Sequence, residues 1–192
     1  MSEQLVRGYW LTGGIKYLRT HQTPEANERL LGSLSKSFRS QLADIQPGQW
    51  YSRAHHVDLM NAMVSPYRDE LAAYESLLTY GQLVATDLST GVLRSLVQIL
   101  TPKLLSKKLP QLWAADHRGD GSLETDIAQA DEGRLALRFA SLSSYQHVGI
   151  VTLGWIKGLL ASLGRRDVVV RQTGWSLAQA APREMSGEVR WS

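Results

Sequence analysis

The chain has 192 residues, 43% of them hydrophobic and 20% charged, which places it among single globular domains able to bury a sizeable core and excludes a disordered polymer. Its 21 basic and 18 acidic residues leave a formal charge of +3 and a pI near 9.3, but the two signs are interleaved, so there is no nucleic-acid footprint. The absence of cysteine excludes disulfides, thiolate nucleophiles and cysteine-ligated zinc or iron–sulfur centres.

From Glu3 to Arg19, Leu5, Tyr9, Trp10, Ile15 and Leu18 recur around Gly13 and Gly14. This pattern fits a helix or a strand running into one, and the expectation is a helix that resumes after the glycines. Thr23-Pro24-Glu25 supplies a cap, a proline at the first helical position and a first-turn acid, predicting a helix to about Ser40 with Leu30, Leu31 and Leu34 inside. After the turn Asp44-Ile45-Gln46-Pro47-Gly48, Ser52 caps a helix carrying Val57, Met60 and Met63 that ends before Pro66. A further helix runs from Tyr67 to about Val84 with Leu71, Tyr74, Leu77, Leu78 and Gly81. Another is entered through Asp87 and runs to Leu100 with Leu88, Val92, Leu96 and Val97, and Pro102 marks a break or first turn before Lys103 to Leu109. Lys103, Lys107 and Lys108 read as a solvated helix face or a helix C-terminal charge bias, in preference to a phosphate site.

The character changes after Trp113. Leu123, Thr125 and Ile127 alternate with polar residues, as do Leu135, Leu137 and Phe139, across the link Ala130-Asp131-Glu132-Gly133, which predicts a β-hairpin. Gln146 to Leu163 is the clearest helix, stopping at Gly164. Gly149, Gly154 and Gly158 cost that helix about 1 kcal/mol each against alanine, so they point to close approach by a sheet or second helix. Val168-Val169-Val170 starts a strand, and Gly187 to Trp191 forms the last one. The fold class is therefore α+β in one domain, with a mainly helical lobe over 1–112 and an αβ lobe over 113–192 built as hairpin, helix, strand and strand in an antiparallel sheet. The N-terminus lacks a signal-peptide pattern and no apolar run reaches membrane-spanning length, so the expected location is cytoplasmic, with no membrane and no nucleic-acid partner.

Leu112-Trp113, the turn and strand from Asp116 to Thr125, the hairpin, Gly154-Trp155-Ile156-Lys157-Gly158, Val168 to Arg171 and Glu188-Val189-Arg190-Trp191 together resemble an uncharacterised paralogous family of myxobacterial proteins of similar length. The arrangement is also distantly similar to heme-nitric-oxide-binding and 4-vinyl-reductase-type domains. That resemblance implies a helical half and an αβ half around an internal pocket. Heme-binding members carry a proximal histidine on a middle helix and a Tyr-x-Ser-x-Arg signature after the hairpin strand. Here the corresponding stretches read Ile99-Leu100-Thr101-Pro102 and Phe139-Ala140-Ser141-Leu142-Ser143, without the histidine, the tyrosine or the arginine. No heme, and no other cofactor, is expected.

Other candidate chemistry is sparse. His55 and Asp58 have i, i+3 spacing, but two ligands do not make a metal site and adjacent His55 and His56 point about 100° apart on a helix, so a solvated or capping role is expected. Asp116-His117-Arg118-Gly119-Asp120-Gly121-Ser122 lacks the third and twelfth ligands of a calcium loop and reads as a polar turn. His147 lies beside Ser143, Ser144 and Tyr145, with Glu124 or Asp126 as an acid partner, but no Gly-x-Ser-x-Gly elbow accompanies it. Asp69-Glu70 and Asp131-Glu132 look like solvated pairs. The aromatic set offers a ligand pocket lined by Tyr9, Trp10, Trp50, Tyr51, Tyr145, His147 and Trp155, with a core role competing for Trp155 and Trp113.

Three functions follow from this. The leading one is a non-catalytic cytoplasmic regulatory domain that binds a small, mostly apolar ligand between its lobes. The alternative is a protein-interaction or homodimerisation module without a pocket, working through the glycine-bearing helix or an exposed final strand. The weakest is an enzyme using His147 or His55.

Overall fold

Local capping chemistry sets most element boundaries. The computed structural model describes residues 3–90, 100–119, 121–140, 147–173 and 184–192. The chain opens with β1 (Leu5–Arg7), which passes directly into α1 (Gly8–His21). The helix does not wait for the glycines to pass; it runs through them, because Gly13 lies against Val84 and Gly14 against Leu59 and Met63, where β-carbons would sit 2.6 and 2.0 Å from those side chains.

The expected helix from Pro24 to Ser40 is two, α2 (Pro24–Ser33) and α3 (Lys36–Arg39). Leu34 turns extended, and the Ser35 hydroxyl accepts the Phe38 N–H, starting a new helix in place of the old one. Next comes β2 (Trp50–Ser52), then α4 (Arg53–Val64), which Ser52 caps as expected. α5 (Glu70–Thr90) starts on the Asp69 carboxylate, which accepts the Ala72 N–H at 3.0 Å. Asp87 does not open a helix: it sits inside α5, paired with Lys16 at 2.6 Å. Leu71, on the predicted apolar set, is 66% exposed. Val92, Leu96, Val97 and Ile99 lie outside the described residues.

Capped by Thr101, α6 (Pro102–Asp116) continues past Leu109 and through Pro110. Proline removes one intrahelical bond. The stripe Leu105, Leu109 and Trp113, at i, i+4 and i+8, is fully buried and holds the helix on course. β3 (His117–Arg118) follows and pairs with the far side of β1, giving a three-stranded sheet in the order β2-β1-β3. The first half is thus helical with two three-residue strands inserted.

The second sheet holds the predicted hairpin, β4 (Ser122–Asp126) and β5 (Arg134–Ala140), with Leu123 opposite Phe139. The link turns through Gly133 in the left-handed region at φ 77°, where a β-carbon would also strike the Trp191 carbonyl oxygen. α7 (Val148–Ser162), β6 (Val169–Thr173) and β7 (Met185–Arg190) complete the lobe. All strands are antiparallel, in the order β4-β5-β7-β6. The final strand is therefore not an exposed edge, since β7 lies between β5 and β6. Leu123, Leu135, Leu137, Phe139, Met185 and Val189 face the core. α7 is buried between this sheet and α5, so its glycines serve an intramolecular seam and offer no dimer surface: Gly149 abuts Met185, while Gly154 and Gly158 meet α5 at Leu78 and Ala85. Among the described residues no helix is long and apolar enough to cross a membrane.

Candidate functional site

Trp10, on the first turns of α1, is 1% exposed and stands where the two lobes meet. Its ring centroid lies 5.6 Å from His56 of α4, 6.3 Å from Tyr80 of α5, 5.8 Å from His117 of β3 and 6.1 Å from Trp155 of α7. His117 stacks on Trp113 at 3.9 Å, and Trp113 meets Phe139 edge-on at 5.5 Å. This continuous set of rings joins five helices, β3 and β5. Tilted and edge-on contacts of this kind suit aromatic quadrupoles.

The polar atoms inside the set are only partly matched. The Tyr80 hydroxyl donates to the Trp10 carbonyl at 2.6 Å, and His56 Nε2 lies 2.9 Å from the same hydroxyl. His117 Nδ1 lies 3.3 Å from the Trp113 carbonyl. Among the described residues, Trp113 Nε1, Trp155 Nε1, His56 Nδ1 and His117 Nε2 are buried with no hydrogen-bond partner, while the Trp10 indole N–H turns to the Tyr9 oxygen. Arg53 is 2% exposed and its positive charge acts on both imidazoles. Burial first, then Arg53, holds His117 down at about 3; burial, His117 and Arg53 hold His56 well below the ordinary imidazole range. Both rings are neutral.

Next to the ring set, Tyr9 hydrogen-bonds Asp116. Burial raises Asp116 to about 6, outweighing that bond and the Arg7 charge, and burial together with the carboxylate raises the Tyr9 hydroxyl well above its usual range. Tyr9 also lines a groove of about 300 Å³ between α1 and α5, with Thr12, Gly13, Val84 and Leu88, rimmed by the Lys16–Asp87 pair.

The structure brings together Trp10 and Trp155 from the predicted pocket and places Tyr9 at the margin. Trp50 and Tyr51 stand apart on β2. Trp50 carries the Arg7 and Arg118 guanidinium groups 3.9 and 4.1 Å from its ring centroid, and the Tyr51 hydroxyl accepts the Gln46 N–H at 2.8 Å. His147 is buried ahead of α7, and burial lowers it to about 4. Glu124 and Asp126, its expected acids, lie on the solvent side of β4 instead, and Glu124 pairs with Arg138. Ser143, Ser144 and Tyr145 lie outside the described residues. His55 is neither solvated nor capping but buried, stacked on Phe38 at 4.7 Å, while Asp58 accepts the Ser35 N–H.

Sequence reasoning missed His56, Tyr80 and His117. A signal was present for two of them. His56, Met60 and Met63 share one helix face at i, i+4 and i+7, which marks a buried histidine, and His117 follows Trp113 by four residues.

On the outer face of the second sheet a depression of about 790 Å³ spreads over Ala136 and Ser186. Its charges answer one another: Arg138 lies between Glu124 and Glu184, and Glu188 accepts from Arg134 and Arg190. The ring set, and not this depression, holds unmatched chemistry.

No protein-family model and no curated protein matches the sequence. Solved structures do. The H-NOX protein of K. algicida in its Fe(II) unliganded form superposes with a TM-score of 0.69 at 9% identity, covering 97% of this chain and 96% of that one. The S. oneidensis H-NOX protein in the Fe(II)NO ligation state gives 0.67 at 9% identity, with 97% and 99% covered. A mutant of the T. Tengcongensis H-NOX gives 0.62 at 13%, with 97% of each chain covered. The chain therefore has the H-NOX fold over nearly its whole length. Its donor set does not fit a heme held in the manner the resemblance implies. The sequence has no histidine between His56 and His117, so α5 and α6 offer no axial ligand. His117 falls beyond the end of α6, face to face with Trp113, and the buried Phe139 brings no hydroxyl to the end of β5.

Proposed function

We propose that this protein is a non-catalytic, cytoplasmic regulatory domain that binds a small, mostly apolar ligand where its helical and αβ lobes meet, without heme. The observation that carries the reading is the set of four ring nitrogens around Trp10 that have no partner among the described residues. Native interiors pair the large majority of buried polar atoms, and each one left bare costs about 1–3 kcal/mol. A ligand with an apolar body and a polar end recovers that cost and satisfies both aspects of the site. The likeness to H-NOX proteins, some described by their ligation state, adds support for a sensing role.

A second reading, an interaction or homodimerisation module, draws on β6, which ends its sheet and leaves Val169 60% exposed. Native mass spectrometry of the freshly purified full chain separates the two. The expected result is a monomer carrying a small co-purified molecule. A bare dimer would favour the second reading and remove the first.

A further inference from the structure

Resting on the ligand-site reading above, we propose that the ring set around Trp10 selects a neutral ligand bearing a hydroxyl group, a phenol or small cyclic alcohol. Its O–H would donate to a bare imidazole nitrogen, and its oxygen would accept an indole N–H.

The tautomers follow from the hydrogen bonds. A carbonyl oxygen only accepts, so the single Tyr80 hydroxyl proton is committed to Trp10 at 2.6 Å. Toward His56 the Tyr80 oxygen is then the acceptor, and His56 carries its proton on Nε2. A neutral imidazole holds one ring proton, so His56 Nδ1 is a buried lone pair with no donor facing it among the described residues. The same argument at His117 puts the proton on Nδ1, facing the Trp113 carbonyl, and leaves Nε2 bare. Both bare nitrogens are buried without a partner among the described residues, as are the indole N–H groups of Trp113 and Trp155.

The site therefore offers acceptors and donors together. A purely apolar guest would leave all of them unmatched. An ammonium group or metal cation would meet the buried positive charge of Arg53, and an anion, though drawn by Arg53, would leave both imidazole lone pairs without a donor. A hydroxyl donates and accepts at once and carries no charge. The surrounding rings favour a cyclic body for that ligand.

The test uses the full chain labelled with ¹⁵N-histidine, titrated with phenol and separately with toluene, its counterpart without the hydroxyl. Phenol is expected to bind about tenfold more tightly than toluene and to shift the His56 Nδ1 and His117 Nε2 resonances, while toluene leaves both in place. His117→Phe keeps a stacked ring and removes the bare nitrogen, so it should lose phenol affinity by about tenfold with toluene unchanged. If toluene binds as tightly as phenol, hydroxyl selection is wrong while the ligand site stands. If neither binds but native mass spectrometry finds a co-purified molecule of another class, the same holds. If neither binds and nothing co-purifies, both proposals fall.

Discussion

Gly81 of α5 and Gly154 of α7 meet so closely that neither has room for a methyl group. A β-carbon on Gly81 would sit 2.0 Å from the Val151 carbonyl oxygen and 3.0 Å from the Gly154 carbonyl carbon; one on Gly154 would sit 2.2 Å from the Leu78 carbonyl oxygen. The two helices therefore touch backbone to backbone, and this seam sets how far Trp155 stands from Trp10. The glycines carry the helix-propensity cost in exchange for that approach.

Gly81→Ala and Gly154→Ala should each destabilise the protein by about 2–4 kcal/mol, because backbone has to move to admit the methyl. Gly32, also helical but with nothing within 4 Å of its would-be β-carbon, is the control. Gly32→Ala should be neutral or stabilise by up to about 1 kcal/mol. Urea midpoints of the three variants check this. Equal effects would mean that helix propensity, and not contact, governs these positions.

How much of this was legible in the sequence depends on element length and on what makes the boundary. The hairpin and α7 were readable because period-two and helical patterns persist over enough residues to be unambiguous. β1 and β2, at three residues each, are too short for any periodicity to show. Asp87 looks like a cap because its residue type suits one, but an aspartate on an exposed helix face looks the same, and only the tertiary pairing with Lys16 decides. Trp10 and Trp155 were legible as pocket or core candidates from residue type alone. Pairing His56 with Tyr80 needed the packing of α4 on α5, which no local pattern encodes.

Acid should weaken the fold well before ordinary carboxylates titrate. His56, His117 and His147 have folded pKa values below the ordinary 6.5, two of them at about 3 and about 4, so below pH 6.5 the unfolded chain binds more protons than the folded one and stability falls with pH. Asp116 acts in the opposite sense. Its folded value, raised to about 6, makes the folded state the better proton binder between about 6 and 3.8, which offsets part of one histidine. The net expectation is a loss on the order of 2 kcal/mol per pH unit between about pH 6 and pH 4. Denaturant titrations across that range measure the slope, and His117→Phe should flatten it. A flat wild-type profile would contradict burial of these rings as neutral species.

Strand order makes a separate prediction. β7 is bonded on both sides, by β5 and by β6, whereas among the described residues β4 and β6 end the sheet. Amides of Met185–Arg190 should exchange as slowly as those of β5, which is flanked by β4 and β7, and those of Val169–Thr173 faster. Hydrogen–deuterium exchange read by mass spectrometry resolves these segments. Rapid exchange in the last strand would put it at an edge and overturn the order β4-β5-β7-β6.

The tryptophans separate site from surface. Trp155, 2% exposed and in ring contact with Trp10, should cost roughly 3–5 kcal/mol when replaced by alanine, because its large volume leaves a cavity that neighbouring backbone contacts prevent from closing. Trp50 is half-buried, and its main partners are the Arg7 and Arg118 guanidinium groups. At such a site the cation–π contacts contribute about 0.5–1 kcal/mol each, so Trp50→Ala should lose no more than about 2 kcal/mol. The fluorescence of the two variants adds a second readout. Removing Trp155 should strip signal that responds to phenol, while removing Trp50 should leave the phenol response intact. A phenol response that disappears with Trp50 would move the binding site from the ring set to the arginine-flanked face of β2.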